Sequence, residues 1–222
     1  MFDKNISVLI PFKPDGAARS RNWDWLQKRY ERLLPGAEIC IGDSDITPYC
    51  RSAAINAAAR IASRNIFLIA DADIAFDQWQ IESAFKLFSR YPWVFPFSGT
   101  HFLYEEQTDE LVKKDPAIYM TDMNLKGYGY YGNSLSELFL IPRNNFQKVG
   151  GFDERFKGWG LEDRAFAASV DAICGAHGRL KNSEIWHLCH PGVQAPEIAT
   201  HEKIFNEEYK DVNVIKAKNG LK

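Results

Sequence analysis

The chain has 222 residues, enough for one substantial domain with a real core, and its composition is 45% hydrophobic and 25% charged. A formal net charge of −2 leaves no basic footprint for non-specific binding to nucleic acid or to an anionic membrane. The apolar runs are no longer than a strand, and the start "MFDKNISVLIPF" lacks the charged, apolar and cleavage regions of a signal peptide, so a cytoplasmic protein without a membrane segment is expected. Four cysteines, Cys40, Cys50, Cys174 and Cys189, stand far apart with no C-x-x-C pair, which excludes a zinc ribbon and argues against a disulfide scaffold.

In chain order, "ISVLIPF" reads as a buried strand, and "NWDWLQKRYERLL" sets Trp25, Leu26, Arg29, Tyr30, Leu33 and Leu34 at helical spacing. "AEICIGD" is strand-like, "PYCRSAAINAAARIAS" is a helix of small residues, and "NIFLIADAD" is a strand again. Asp77, followed three residues later by Gln80, forms a capping box at the start of a helix over "QWQIESAFKLFSRY", and "WVFPF" predicts a further strand. This alternation implies an α/β fold with a mostly parallel sheet flanked by helices. From Gly99 to Ser134 the pattern breaks into a Tyr-, Gly- and charge-rich stretch, long enough to act as a lid. "ELFLIPRNNFQKVGGFDERF" then predicts a strand, a short helix and a turn, "EDRAFAASVDAICGAHG" a helix, and "SEIW" a strand; the polar tail from Lys210 to Lys222 is expected to fray.

The chemistry concentrates where strands end. Asp71 and Asp73 are two residues apart; on a strand they project from one side and repel each other unless a cation, most simply a divalent metal, lies between them. Asp43 ends the preceding strand, so three carboxylates share the rim where open α/β sheets collect ligands. In "KGWGLED", Gly158 and Gly160 permit a tight turn around Trp159, and Glu162 and Asp163 fall in the first turn of a helix, where the dipole favours acids. "WHLCHP" adds His187 and His190.

"EICIGDSDIT", with Asp43 and Asp45, is similar to the nucleophile motif of haloacid-dehalogenase-like phosphatases, but no downstream acidic pair completes that site. The ordered set "SVLIPFKPDGAARSRNW", "ICIGDSD", "CRSAAINAAARIASRNIFLIADAD" and "GGFDERFKGWGLEDRAF" resembles GT-A glycosyltransferases over residues 6–192. By motif it is most similar to the beta-galactosyltransferases, the chondroitin-polymerase type enzymes and the polypeptide N-acetylgalactosaminyltransferases.

The resemblance implies a single Rossmann-like GT-A domain with a nucleotide-binding half (1–98), an acceptor and metal half (99–192) and a C-terminal helix and tail (193–222). Pro11, Phe12 and Arg19 would then meet the nucleotide, Asp43 the uracil and Arg51 the diphosphate. Asp71 would bond the ribose or a metal-bound water, and Asp73 would ligate Mn²⁺ or Mg²⁺ together with His187 or, as second choice, His190. Trp159 would stack on an acceptor sugar, Glu162 would hold it, and Asp163 would act as base, made basic by burial against Trp159.

These roles describe an inverting transfer from a UDP-sugar to a saccharide, with retention and a protein or modified-nucleobase acceptor left open. A non-catalytic nucleotide-sugar or glycan-binding module is the alternative of a different class.

Overall fold

The computed structural model describes residues 2–125, 127–192 and 197–220, so parts of the 193–222 unit lie outside the described residues. Its first half is β1 (Ile6–Pro11), α1 (Ala18–Leu33), β2 (Glu38–Gly42), α2 (Arg51–Ile61) and β3 (Ile66–Ala70), with β1 parallel to both β2 and β3. β1 is buried at every position, so it reads as a continuous apolar run rather than an alternating one. α2 lies close on the sheet because its small residues let it: a Cβ at Gly42 of β2 would sit 1.9 Å from the Ala54 carbonyl oxygen.

α1 begins four residues earlier than its periodicity predicts, because the exposed Asp15 carboxylate accepts the amides of Ala17, Arg19 and Ser20 and organises the first turn. Arg29, which shares the spacing of the apolar set, is fully buried. It donates to the carbonyls of Phe76, Pro116 and Ile118 and pairs with Asp77 at 2.7 Å. The same Asp77 carboxylate accepts the Met120 amide, and its own amide donates to the Gln80 side chain in the expected capping box, so one buried pair ties α1 to α3 (Gln78–Leu87) and the segment near 120.

The predicted strand "NIFLIADAD" ends at Ala70. Asp71 and Asp73 therefore lie in a turn leading to β4 (Ile74–Ala75), with the Ile74 amide donating to the Asp71 carbonyl. "WVFPF" contracts to β5 (Val94–Phe95), since Pro96 has no N–H to continue a ladder.

The stretch 99–134 is more ordered than expected: it holds β6 (Gly99–Leu103), α4 (Glu105–Leu111) and β7 (Gly127–Gly132). β8 (Leu138–Pro142), α5 (Arg143–Lys148), α6 (Glu162–Cys174), β9 (Gly178–Arg179), β10 (Glu184–His187), α7 (Ile198–Glu208) and α8 (Val212–Lys218) complete the described strands and α-helices. α8 packs Ile215 into a second small core, and Lys218 donates to Glu208 and Tyr209, so this part of the tail is anchored rather than frayed.

Two sheets result. The larger has the order β2-β1-β3-β8-β5-β9, with β8 antiparallel to both neighbours and the other pairs parallel. The smaller has the order β4-β10-β6-β7. Because β8 runs against β3, Leu138 at its start pairs with Ala70 at the end of β3, and the segment preceding β8 meets the carboxyl rim. No helix among the described residues is long and apolar enough to cross a membrane.

Candidate active site

A cleft of about 850 Å³ opens at this rim. At one end, β4 pairs antiparallel with β10, setting His187 opposite Ile74, and the Leu188 amide donates to the Asp73 carbonyl at 2.8 Å. Cys189 is held by the Thr108 hydroxyl on its amide and the Asn22 side chain on its carbonyl, which fixes the turn to His190. The buried Asp73 carboxylate thereby meets two imidazoles, His190 Nε2 at 3.0 Å and His187 Nε2 at 3.5 Å. One ligand atom from each of the three lies within 4.8 Å of the others. His190 Nδ1 faces the Pro191 carbonyl at 2.8 Å, an acceptor for an Nδ1 hydrogen, so loss of the Nε2 proton would turn Nε2 from a donor to Asp73 into a ligand for a cation. Among the described residues Asp73 Oδ1 is buried without a hydrogen-bond partner, so the oxygen and nitrogen donors fit a divalent cation.

Asp71 sits on the other side of that turn, its amide donating to the Glu137 carbonyl. Arg51 was expected to face a diphosphate. In the cleft its Nε donates to Asp71 Oδ1 at 2.7 Å, and Nη1 lies 3.6 Å from Glu162 Oε1. The guanidinium thus links the acids of the D-x-D turn to those of α6.

The electrostatics divide the carboxylates. Burial and the charge of Asp73 push Asp71 above the ordinary aspartate value, against the pull of Arg51. Burial also works against Asp73, yet His187 and His190 outweigh it and hold its carboxyl well below the usual range. Burial lowers His190, but its bond to Asp73 more than compensates, and the imidazole is raised.

At the opposite end, Gly158 and Gly160 both have positive φ, at 79° and 115°. The Gly158 amide donates to the Tyr49 carbonyl, pinning the Gly-Trp-Gly turn beside the start of α2. Glu162, buried at the start of α6, accepts the Gly160 amide, and burial lifts its carboxyl to about 7 despite Arg51. Asp163 is half-buried, with one oxygen accepting the Arg164 amide at 2.7 Å. The expectation that Asp163 is buried against Trp159 is corrected: Trp159 is 63% exposed, and the buried acid is Glu162, because the first turn of α6 points it inward beside Arg51.

Pro11, Arg19, Arg51, Asp71, Asp73, Trp159, Glu162, Asp163, His187 and His190 all line the cleft. Phe12 does not; its ring is buried against Trp23, on the core side of the strand end. Asp43 is exposed, bonds the Ser44 amide and is not a lining residue, although its charge reaches Tyr49, which is.

Sequence reasoning missed Tyr49, Phe102, Tyr131, Ser134 and Glu137, which also line the cleft. Glu137 carried a usable signal: an acid directly preceding an apolar strand lies at the ligand rim when that strand runs antiparallel to its neighbours.

Residues 119–191 match the family model described as the N-terminal domain of galactosyltransferase. A validoxylamine A glucosyltransferase of Streptomyces hygroscopicus subsp. jinggangensis is 31% identical over 122 residues, covering 48% of this chain. The chain spans 27% of that relative's length. Among solved structures, the catalytic domain of Drosophila beta1,4galactosyltransferase 7, in complex with xylobiose, superposes with a TM-score of 0.50 at 16% identity, covering 89% of this chain and 79% of the other. Glucosyl-3-phosphoglycerate synthase of Mycobacterium tuberculosis, in complex with Mn²⁺, UDP and phosphoglyceric acid, superposes with a TM-score of 0.52 at 12% identity, covering 98% and 79%. The two-sheet α/β architecture is therefore the GT-A fold seen in these glycosyltransferases, and residues 119–191 are similar in sequence to the galactosyltransferase family model as well.

Proposed function

We propose that the chain is a metal-dependent glycosyltransferase domain that moves a sugar from UDP to an acceptor hydroxyl with inversion at the anomeric carbon. The observation that carries this reading is one cleft with a His-His-Asp cation cluster at one end and an acid pair at the helix start at the other. Asp73, His187 and His190 would hold Mn²⁺ or Mg²⁺, which when bound supplies positive charge to a diphosphate leaving group.

The chain's own residues divide the remaining work. Asp163 has a carboxylate that the Arg164 amide only partly occupies, so it is placed to take the proton from the acceptor hydroxyl. Glu162 and the exposed face of Trp159 would hold the acceptor, a saccharide in this reading. Arg51 orients Asp71 and Glu162 together, and Asp71 would receive the ribose or a metal-bound water. Pro11, Arg19 and Tyr49 form the wall on which the nucleoside would lie, with Asp43 at its margin.

Relatives of the fold support this reading through what they hold: Mn²⁺ and UDP in the mycobacterial synthase, and a disaccharide in the Drosophila enzyme. Residues 1–98 would then form the nucleotide half, 99–192 the acceptor and metal half, and 193–222 the C-terminal unit.

The test is UDP release from a panel of UDP-sugars with and without Mn²⁺. Slow release that requires the metal, and is accelerated by a saccharide acceptor, is expected. Tight UDP binding without release from any donor would replace the enzyme by a binding module. The anomeric configuration of the product, read by NMR, decides between inversion and retention.

A further inference from the structure

Four described non-glycine residues have left-handed backbones, and three of them, Asn133, Glu137 and Leu161, line this one cleft. Glu137, with φ 66°, is the charged member. A glycine would adopt that conformation without strain, so the chain keeps a carboxylate where the backbone favours no side chain at all, a pattern that points to function.

The carboxylate is also held in place. Glu137 is 9% exposed, and Oε2 accepts the hydroxyl of the fully buried Thr100 at 3.0 Å. Its backbone carbonyl accepts the Asp71 amide, which places it directly beside the D-x-D turn. Among the described residues no ion pair involves it: Arg51 serves Asp71 and Glu162, the histidines serve Asp73, and the neighbouring Arg179 donates to the carbonyls of Phe97 and Ser134. Burial, joined by the charges of Asp71 and Asp73, lifts its carboxyl to about 7. Above that value the anchored group, engaged in no ion pair, is a carboxylate that accepts hydrogen bonds from O–H and N–H groups and repels any ligand bearing a carboxylate of its own. A sugar attached to a diphosphate at the Asp73 cluster and directed toward Glu162 and Asp163 would pass the 134–137 wall of the same cleft.

We propose that Glu137 selects the transferred sugar, accepting a hydrogen bond from a hydroxyl or amide N–H of an uncharged sugar and rejecting a uronate. This rests on the transferase reading above and adds the class of donor. It is tested by calorimetric titration at about pH 8, where the Glu137 carboxyl is ionised, in the presence of Mn²⁺, of the wild type, Glu137→Gln and Thr100→Val. The ligands are bare UDP, UDP-glucose, UDP-galactose, UDP-N-acetylglucosamine and UDP-glucuronate.

In the wild type the tightest uncharged donor is expected to bind at least about ten-fold better than UDP-glucuronate. Glu137→Gln should shrink that ratio to about three-fold or less while bare UDP affinity changes by less than about two-fold. Thr100→Val keeps the charge but frees the carboxylate. It should flatten the ranking among uncharged donors and still exclude the glucuronate, which keeps the proposal testable if Glu137→Gln does not fold. Wild-type binding of UDP-glucuronate as tight as the best uncharged donor, or an unchanged ratio in Glu137→Gln, overturns the role of Glu137 and leaves the transferase reading standing. Absence of any UDP binding in the wild type overturns both.

Discussion

The cleft carries two acidic pairs, Asp71 with Asp73 and Glu162 with Asp163, and the fold treats them in opposite ways. Asp73 is buried but has two imidazoles within 3.5 Å, which keep it ionised. Glu162 is equally buried but has one guanidinium at 3.6 Å, and burial lifts it to about 7. The neighbours brought by the fold, not the type of side chain, decide which acid is a charge and which holds a proton. Arg51 belongs to both ends, so the two pairs are mechanically and electrostatically joined.

The sharpest way to break the comparison is at the charged end. Asp73→Ala should abolish Mn²⁺-dependent UDP binding, and His187→Ala or His190→Ala should weaken metal and nucleotide together, by about ten-fold or more. Asp45→Ala, at an exposed loop residue, should leave metal dependence intact. Equal loss from Asp45→Ala and Asp73→Ala in a Mn²⁺ titration would remove the cation cluster from the argument.

Next in size is the other end. Asp163→Asn removes the basic lone pair but preserves shape, so transfer to acceptor should fall by about a hundred-fold or more with UDP and Mn²⁺ affinity unchanged. Transfer at the parental rate in single-turnover assays would deny Asp163 the role of base.

The link between the ends is tested by stability. Arg51→Met leaves Asp71 and Glu162 without their shared cation, a loss of about 2 kcal/mol in urea unfolding once partial solvent access is allowed for. A midpoint equal to the wild type would show that the two acids do not depend on it.

The smallest effect is a pH dependence. Glu162 has a folded value near 7, above the ordinary glutamate value of 4.5. The folded state therefore holds a proton that the unfolded state has released across that interval, and stability falls as pH rises from about 4.5 through about 7. In EDTA, Glu162→Gln should lose less stability than the wild type between pH 5 and pH 8. Identical slopes would mean that Glu162 is ionised in the fold throughout.

Much of this was legible beforehand, and the reason is local. The parallel core of β1, β2 and β3 shows as apolar runs, α1 as a helical spacing that even included the buried Arg29, and the Asp77–Gln80 box as a helix start, because each depends on neighbours a few residues away. Phe12 was misplaced because residues adjoining on a strand face opposite sides: Pro11 lines the cleft while Phe12 turns to Trp23. The length of 99–134 suggested a lid; its strands could not be read because β6 pairs with β7 about thirty residues on and with β10 about eighty-five residues on, distances over which composition carries no information.

By itself, then, the sequence determined the α/β alternation, the rim carboxylates Asp71 and Asp73, the Gly-Trp-Gly turn before Glu162 and Asp163, and the paired histidines, since residue type and short spacing specify them. Only the tertiary structure decided that His187 and His190 both reach Asp73, that Arg51 spans the two acid pairs, and that the antiparallel β8 delivers Glu137 to the rim. Strand order and direction set those distances, and with them each acid's charge, because electrostatic interactions depend on separation and burial in space rather than on separation along the chain.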